Sequence, residues 1–179
     1  LNVNAGSRFF MVGQNATITT LTNNGEFVMQ GNETLTNTTH NVGTGTFIYE
    51  GNNTAGPFVI RNFGATDYYN LKIDDFHATK ATFTFGNDIV INNNLELSQG
   101  TFSPGANNVT IPNDLIVTGG TFAASTGILD INGDLNLTSG TLNIPTGGDA
   151  KVAGDWKNDG GTLTLGSVDV ILDGTNQTL

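Results

Sequence analysis

Asn94, Asp114, Asp134 and Asp155 form a polar column whose members stand 20, 20 and 21 positions apart. Two carboxylates facing one cleft can hydrolyse glycosides, while stacked carboxylates repel unless backbone N–H groups or a shared cation satisfy them. One carboxylate per interval is a ladder and not a cleft, and Asn94 shows that a neutral side chain serves in the same place. The expected role of Asp114, Asp134 and Asp155 is therefore an Asx side chain capping turn amides. Asp74 and Asp75 are adjacent, but neighbours on a strand point to opposite faces. His40 and His77 lack a Ser-centred motif, Arg61, Lys72, Lys80, Lys151 and Lys157 are dispersed, and cysteine is absent. No catalytic residue, metal ligand or cofactor is assigned. One constellation could bind: Tyr68, Tyr69, Asp74 and Phe76 would make an aromatic and acidic surface for a glycan or a partner if exposed. The competing reading places the tyrosines in the core, where most aromatics lie.

What would position these residues is a repeat. Gly100-Thr101-Phe102 returns as Gly120-Thr121-Phe122, Gly140-Thr141-Leu142 and Gly161-Thr162-Leu163. Other columns keep register: Leu95, Leu115, Leu135, Trp156; Ile91, Ile111, Ile131, Val152; Ile89, Val109, Leu129, Ala150. Apolar residues within a unit are two apart, the period of a strand. Roughly three short strands fit one unit, which cannot bury its apolar side alone, so units must stack as turns of a coil. The large residue of each Gly-Thr-Phe/Leu triplet then points inward, Gly takes a tight corner, and Thr101, Thr121, Thr141 and Thr162 form an outward ladder.

The frame loosens before residue 87. Gly25-Glu26-Phe27 and Gly45-Thr46-Phe47 read as earlier copies of the triplet, with Gly6 to Phe9 an imperfect one. The distance from Gly45 to Gly100 is not a multiple of 20, so this stretch is expected to hold a longer or shorter coil, or an excursion, near 56–86. In the last regular unit Asn158 stands where Leu97, Val117 and Leu137 are expected, so either that coil is distorted or the frame slips by one. The stretch Gly166 to Leu179 resembles Gly43 to Asn53, as though a new module were starting without a cap. Uncapped coils expose unpaired backbone and invite stacking.

With 6 Lys+Arg against 16 Asp+Glu and a net charge of −10, the chain is not expected to grip nucleic acid, and no apolar run is long enough for membrane insertion. The order "GTFIYEGNN…FVI…YYNLKID…FTFGNDIVINNNLELSQGTF" is similar to a module of large secreted or cell-surface bacterial proteins, and the later coils resemble filamentous-haemagglutinin-like adhesin repeats. The resemblance implies a right-handed parallel β-helix in an extracellular structural or adhesive protein, and carries over no catalytic residue. The expectation is an all-β chain, a single β-solenoid over 1–179 with about 20 residues per coil, less regular over 1–86 and regular over 87–179, forming part of a longer repeat protein. Expected partners are other copies or flanking modules meeting the coil ends, and surface glycans. The alternative function is a carbohydrate-binding or carbohydrate-processing β-helix.

Overall fold

The computed structural model describes residues 1–41, 43–63, 68–123 and 125–179, with the backbone alone at 37 and 38. Alternating apolar residues become short strands wound into about eight coils of roughly 20 residues. Strands pair in parallel with their equivalents one coil away, which is the only way units with one apolar side can cover one another. On the second side of the coil Leu95 lies beside Leu115, Leu115 beside Leu135, and Leu135 beside Trp156. On the third side Thr101, Thr121, Thr141 and Thr162 are successive neighbours, as are Phe102, Phe122, Leu142 and Leu163. On the first side Val109, Leu129, Ala150 and Val170 are aligned. The columns expected for 87–163 are the columns observed. Leu115–Phe122 and Leu135–Asn143 run as single bent strands through the glycine corner, so two of the three expected strands merge there.

The inward side chains make one continuous core. Phe9, Phe27 and Phe47 stack with centroids 5.2 and 5.3 Å apart; further along, Phe85, Phe102 and Phe122 follow at 5.1 and 5.7 Å. Leu71, Leu95, Leu115 and Leu135 are fully buried, each contributing about 1.5–3 kcal/mol relative to exposure. The corner glycines keep this stack closed. At Gly140, φ is 76° and an added Cβ would sit 2.3 Å from the Gly120 carbonyl oxygen.

Two expectations need correction. Gly25-Glu26-Phe27 and Gly45-Thr46-Phe47 do not belong to the Gly-Thr-Phe column. Phe27 pairs with Phe47, Phe47 with Leu71 and Leu71 with Leu95, which places them on the second side. The true predecessors of Phe102 are Phe83 and Phe58. The odd Gly45–Gly100 spacing thus compares two different sides, with two coils lengthened to a step of 24 residues. The added length forms the corners 50–57 and 74–82; residues 64–67 of the expected excursion lie outside the described residues. Likewise Val170–Leu172 continues the first side beyond Ala150–Val152 and is not equivalent to Thr46–Tyr49. A local motif repeats on any side that needs a corner followed by an inward apolar residue, and sequence likeness does not say which side.

The third side begins at Phe58–Val59. In the preceding coils the Glu33 carboxylate accepts the N–H groups of Gly13, Gln30 and Gly31 at 3.0, 2.8 and 2.7 Å, satisfying backbone donors that strand pairing would otherwise take. At the other end Asn158 keeps the expected register beside Leu137. Its Oδ1 accepts from Gly160 and Gly161, so the coil is distorted locally and the frame does not slip.

Because stacking is in register, removing one whole repeat should leave compatible neighbours. Deleting residues 115–134 joins Asp114 to Leu135 and should preserve a β-rich circular dichroism spectrum with a cooperative urea transition. Its m-value should fall by roughly an eighth. A ten-residue deletion in the same place should abolish the transition, since it sets first-side positions against third-side ones.

Candidate functional site

The polar column is a ladder between coils. The Asn70 Oδ1 accepts the Asn94 N–H, the Asn94 Oδ1 that of Asp114 at 3.1 Å, the Asp114 Oδ1 that of Asp134 at 2.8 Å, and the Asp134 Oδ1 that of Asp155 at 2.8 Å. The Asp155 Oδ1 accepts from Thr178, and these bonds to Thr178 hold the Asp155 carboxyl below the usual range. Each Asx side chain therefore caps its equivalent in the next coil, not its own turn as expected. The cause is the parallel step, which brings the next corner's amide closer to Oδ1 than any amide of the same turn.

The structure separates the four residues of the expected recognition surface. Tyr68 is fully buried, its ring edge-on to Phe47 and its hydroxyl bonded to the Tyr49 hydroxyl and the Arg61 carbonyl. Tyr69 is half-buried. Asp74 faces outward and meets Lys72, which also reaches Glu96 at 3.0 Å. Burial works against the Lys72 ammonium, but Glu96 and Asp74 outweigh it and raise its pKa. Phe76 is 60% exposed. The tyrosine pair is thus no platform for a ligand, because the widened coil needs the Tyr68 ring to fill it.

Asp75, which sequence reasoning singled out only as a neighbour of Asp74, organises this region. Asp74 aligns with Gln99, so Asp75 falls in the corner column held by Gly100, and a coil earlier Gly51 lies against it. It is 0% exposed. Its Oδ2 accepts the Ala81 N–H at 2.6 Å; its Oδ1 accepts the His77 backbone N–H at 3.0 Å and the ring Nδ1–H at 2.9 Å. The room is made by glycine: a Cβ on Gly51 would lie 2.3 Å from Asp75 Oδ2. His77 Nδ1 also faces the Glu50 carbonyl, the Thr79 N–H donates to Asn53, and Lys80 bonds the Asp75 carbonyl and Gln99 Oε1, each at 2.7 Å. Corner 74–82 is thereby fastened to the coil before and the coil after. Its outward product is Phe76, stacked on the His77 ring at 4.5 Å. A step of 24 residues forward from Gly51, or of 25 back from Gly100, was the signal that could have revealed Asp75.

Elsewhere, an open depression of about 540 Å³ is lined by Asn62, Gly86, Asn87, Asp88 and Asn107. Its carboxylate, Asp88, accepts both the backbone and side-chain N–H groups of Asn108, an inter-coil bond like those of the main ladder. Among the described residues no group of three His, Cys, Asp or Glu side chains could hold a metal ion, and no helix is long and apolar enough to cross a membrane. No family model, curated protein or solved structure matches the chain. The β-solenoid therefore stands on the structure itself, and the likeness to haemagglutinin-type repeats remains one of columns.

Two measurements probe these buried groups. Asp75→Ala strands three buried or half-buried donors and should lower the unfolding free energy by about 3–5 kcal/mol in urea titrations. Burial pushes the Tyr49 phenol up to about 12. Its neutral form is favoured in the folded state, so its contribution is complete below the unfolded value near 10 and is lost as pH rises toward 12. Tyr49→Phe should be less stable at neutral pH by about 1–3 kcal/mol, yet its stability should fall less steeply than wild type over that alkaline interval.

Proposed function

We propose that the chain is a non-catalytic structural and adhesive rod of an extracellular or cell-surface protein, joined through its coil ends to other copies or flanking modules. The observation that carries this reading is the unbroken inter-coil ladder. The amides of Leu71, Leu95, Leu115, Leu135 and Trp156 donate in succession to the carbonyls of Asn94, Asp114, Asp134, Asp155 and Thr178, while Asx side chains bridge the same corners. A load along the axis crosses each interface in turn and is shared there by the parallel bonds that join the two coils, and each coil presents the next with the same donors and acceptors. At the strand spacing the rod is roughly 40 Å long. The alternative, a carbohydrate-binding solenoid, retains Phe76 and Asp74 but loses Tyr68 to the core.

Electron microscopy across a protein concentration series tests the proposal, with limited proteolysis alongside. Expected are rods that lengthen with concentration in steps of roughly 40 Å and resist cleavage between residues 87 and 157. Particles of one length at every concentration would remove the coil ends as contact surfaces, and rapid cleavage within 87–157 would remove the rod.

A further inference from the structure

The corner built on Asp75 and the corner 50–57 bonded to it through His77 together present an aromatic ring, Phe76, and a carboxylate, Glu50, that the fold does not use. Glu50, half-buried at the start of corner 50–57, has a side chain with neither hydrogen bond nor ion pair among the described residues. Burial raises its pKa, and of its neighbours Arg8 and His77 oppose the rise while Glu33 and Asp74 add to it. The cations nearby are engaged: Arg8 by Glu26 at 2.5 Å, Lys72 by Asp74 and Glu96, and Lys80 by the Asp75 carbonyl and Gln99. The locality therefore carries a surplus of negative charge around His77, the ring on which Phe76 stacks.

The chain itself shows what fits such a ring. It contains two arginines, and both lie over phenylalanines, Arg8 over Phe10 at 5.1 Å and Arg61 over Phe63 at 5.3 Å. Phe76 has no cation of the chain over it among the described residues. Its other face rests on the His77 ring, whose Nδ1–H is fixed between Asp75 and the Glu50 carbonyl. A planar guanidinium stacks on an aromatic face while keeping donors for a carboxylate, which an ammonium does less well.

We propose that this corner is a docking point for an arginine side chain of a partner protein, the guanidinium lying on Phe76 and donating to Glu50. The buried Asp75 carboxylate fixes the loop in advance, so little ordering entropy remains to be lost on binding. The site is independent of the coil ends, and its failure would leave the rod reading untouched.

The probe is an acetylated, amidated tetra-arginine peptide titrated into the whole chain at low salt, followed by amide chemical shifts and calorimetry. Expected are shifts centred on residues 50–51 and 74–80 and weaker binding of tetra-lysine. Affinity should fall about three- to five-fold in Phe76→Ala and about two- to five-fold in Glu50→Gln. Phe10→Ala, whose ring Arg8 already covers, should bind as wild type. The proposal is overturned if no binding occurs, if shifts spread over the acidic surface and Phe76→Ala binds unchanged, or if neutral cellohexaose produces the same shifts, which would make the corner a glycan site.

Discussion

Parallel, in-register stacking is the constraint on which the rest of this molecule depends. With coils about 4.8 Å apart, each residue's nearest neighbours beyond its own strand are its equivalents above and below. A side chain that suits one coil must therefore suit its own copy. Phenylalanine on phenylalanine, leucine on leucine and glycine on glycine all satisfy that demand. Aspartate on aspartate does so here because Oδ1 meets a backbone N–H of the next coil at 2.8 Å, turning like-charge repulsion into a series of charge-assisted bonds.

The same constraint explains where the fold departs from regularity. The corner glycines let successive backbones close in on one another, and at Gly51 the room a side chain would take is filled by the Asp75 carboxylate, with Gly100 on its other side. A buried charge is costly unless fully bonded, and here the loop it organises supplies the bonds: Ala81 and His77 close around it. The extra residues of the lengthened coil thus become a fixed projection and not a slack loop. Phenylalanine stacks recur along the axis, early at Phe9, Phe27 and Phe47 and later at Phe85, Phe102 and Phe122, whereas the buried tyrosine pair Tyr49 and Tyr68 belongs to the lengthened coils. The two steps of 24 residues enclose more volume than the regular ones, and the buried rings of Tyr49, Tyr68 and Phe83 fill it.

A rod of this construction divides its work by place. The regular coils carry cohesion, through a core and a ladder that repeat without alteration. Individual chemistry is confined to the corners, where chain length can change without disturbing strand register. Among the described residues, exposed aromatic surface, an unengaged carboxylate and a rigid buried support coincide at such a corner, at Phe76, Glu50 and Asp75.

From 87 to 163 the sequence by itself determined the architecture. The columns of Leu95, Ile91, Ile89 and Phe102 named the register that the structure shows, because a constant step makes spacing in sequence equal to stacking in space. It determined too that Asp74 and Asp75 face opposite ways, since strand alternation is local. Only the tertiary structure decided the rest. Phe27 and Phe47 belong to the second side, Tyr68 fills the core, and Asp75 occupies a glycine position, because each depends on how two longer coils wind before returning to register. Their length is visible in the sequence, but the corner at which it is spent is chosen by packing among residues 19 to 27 positions apart.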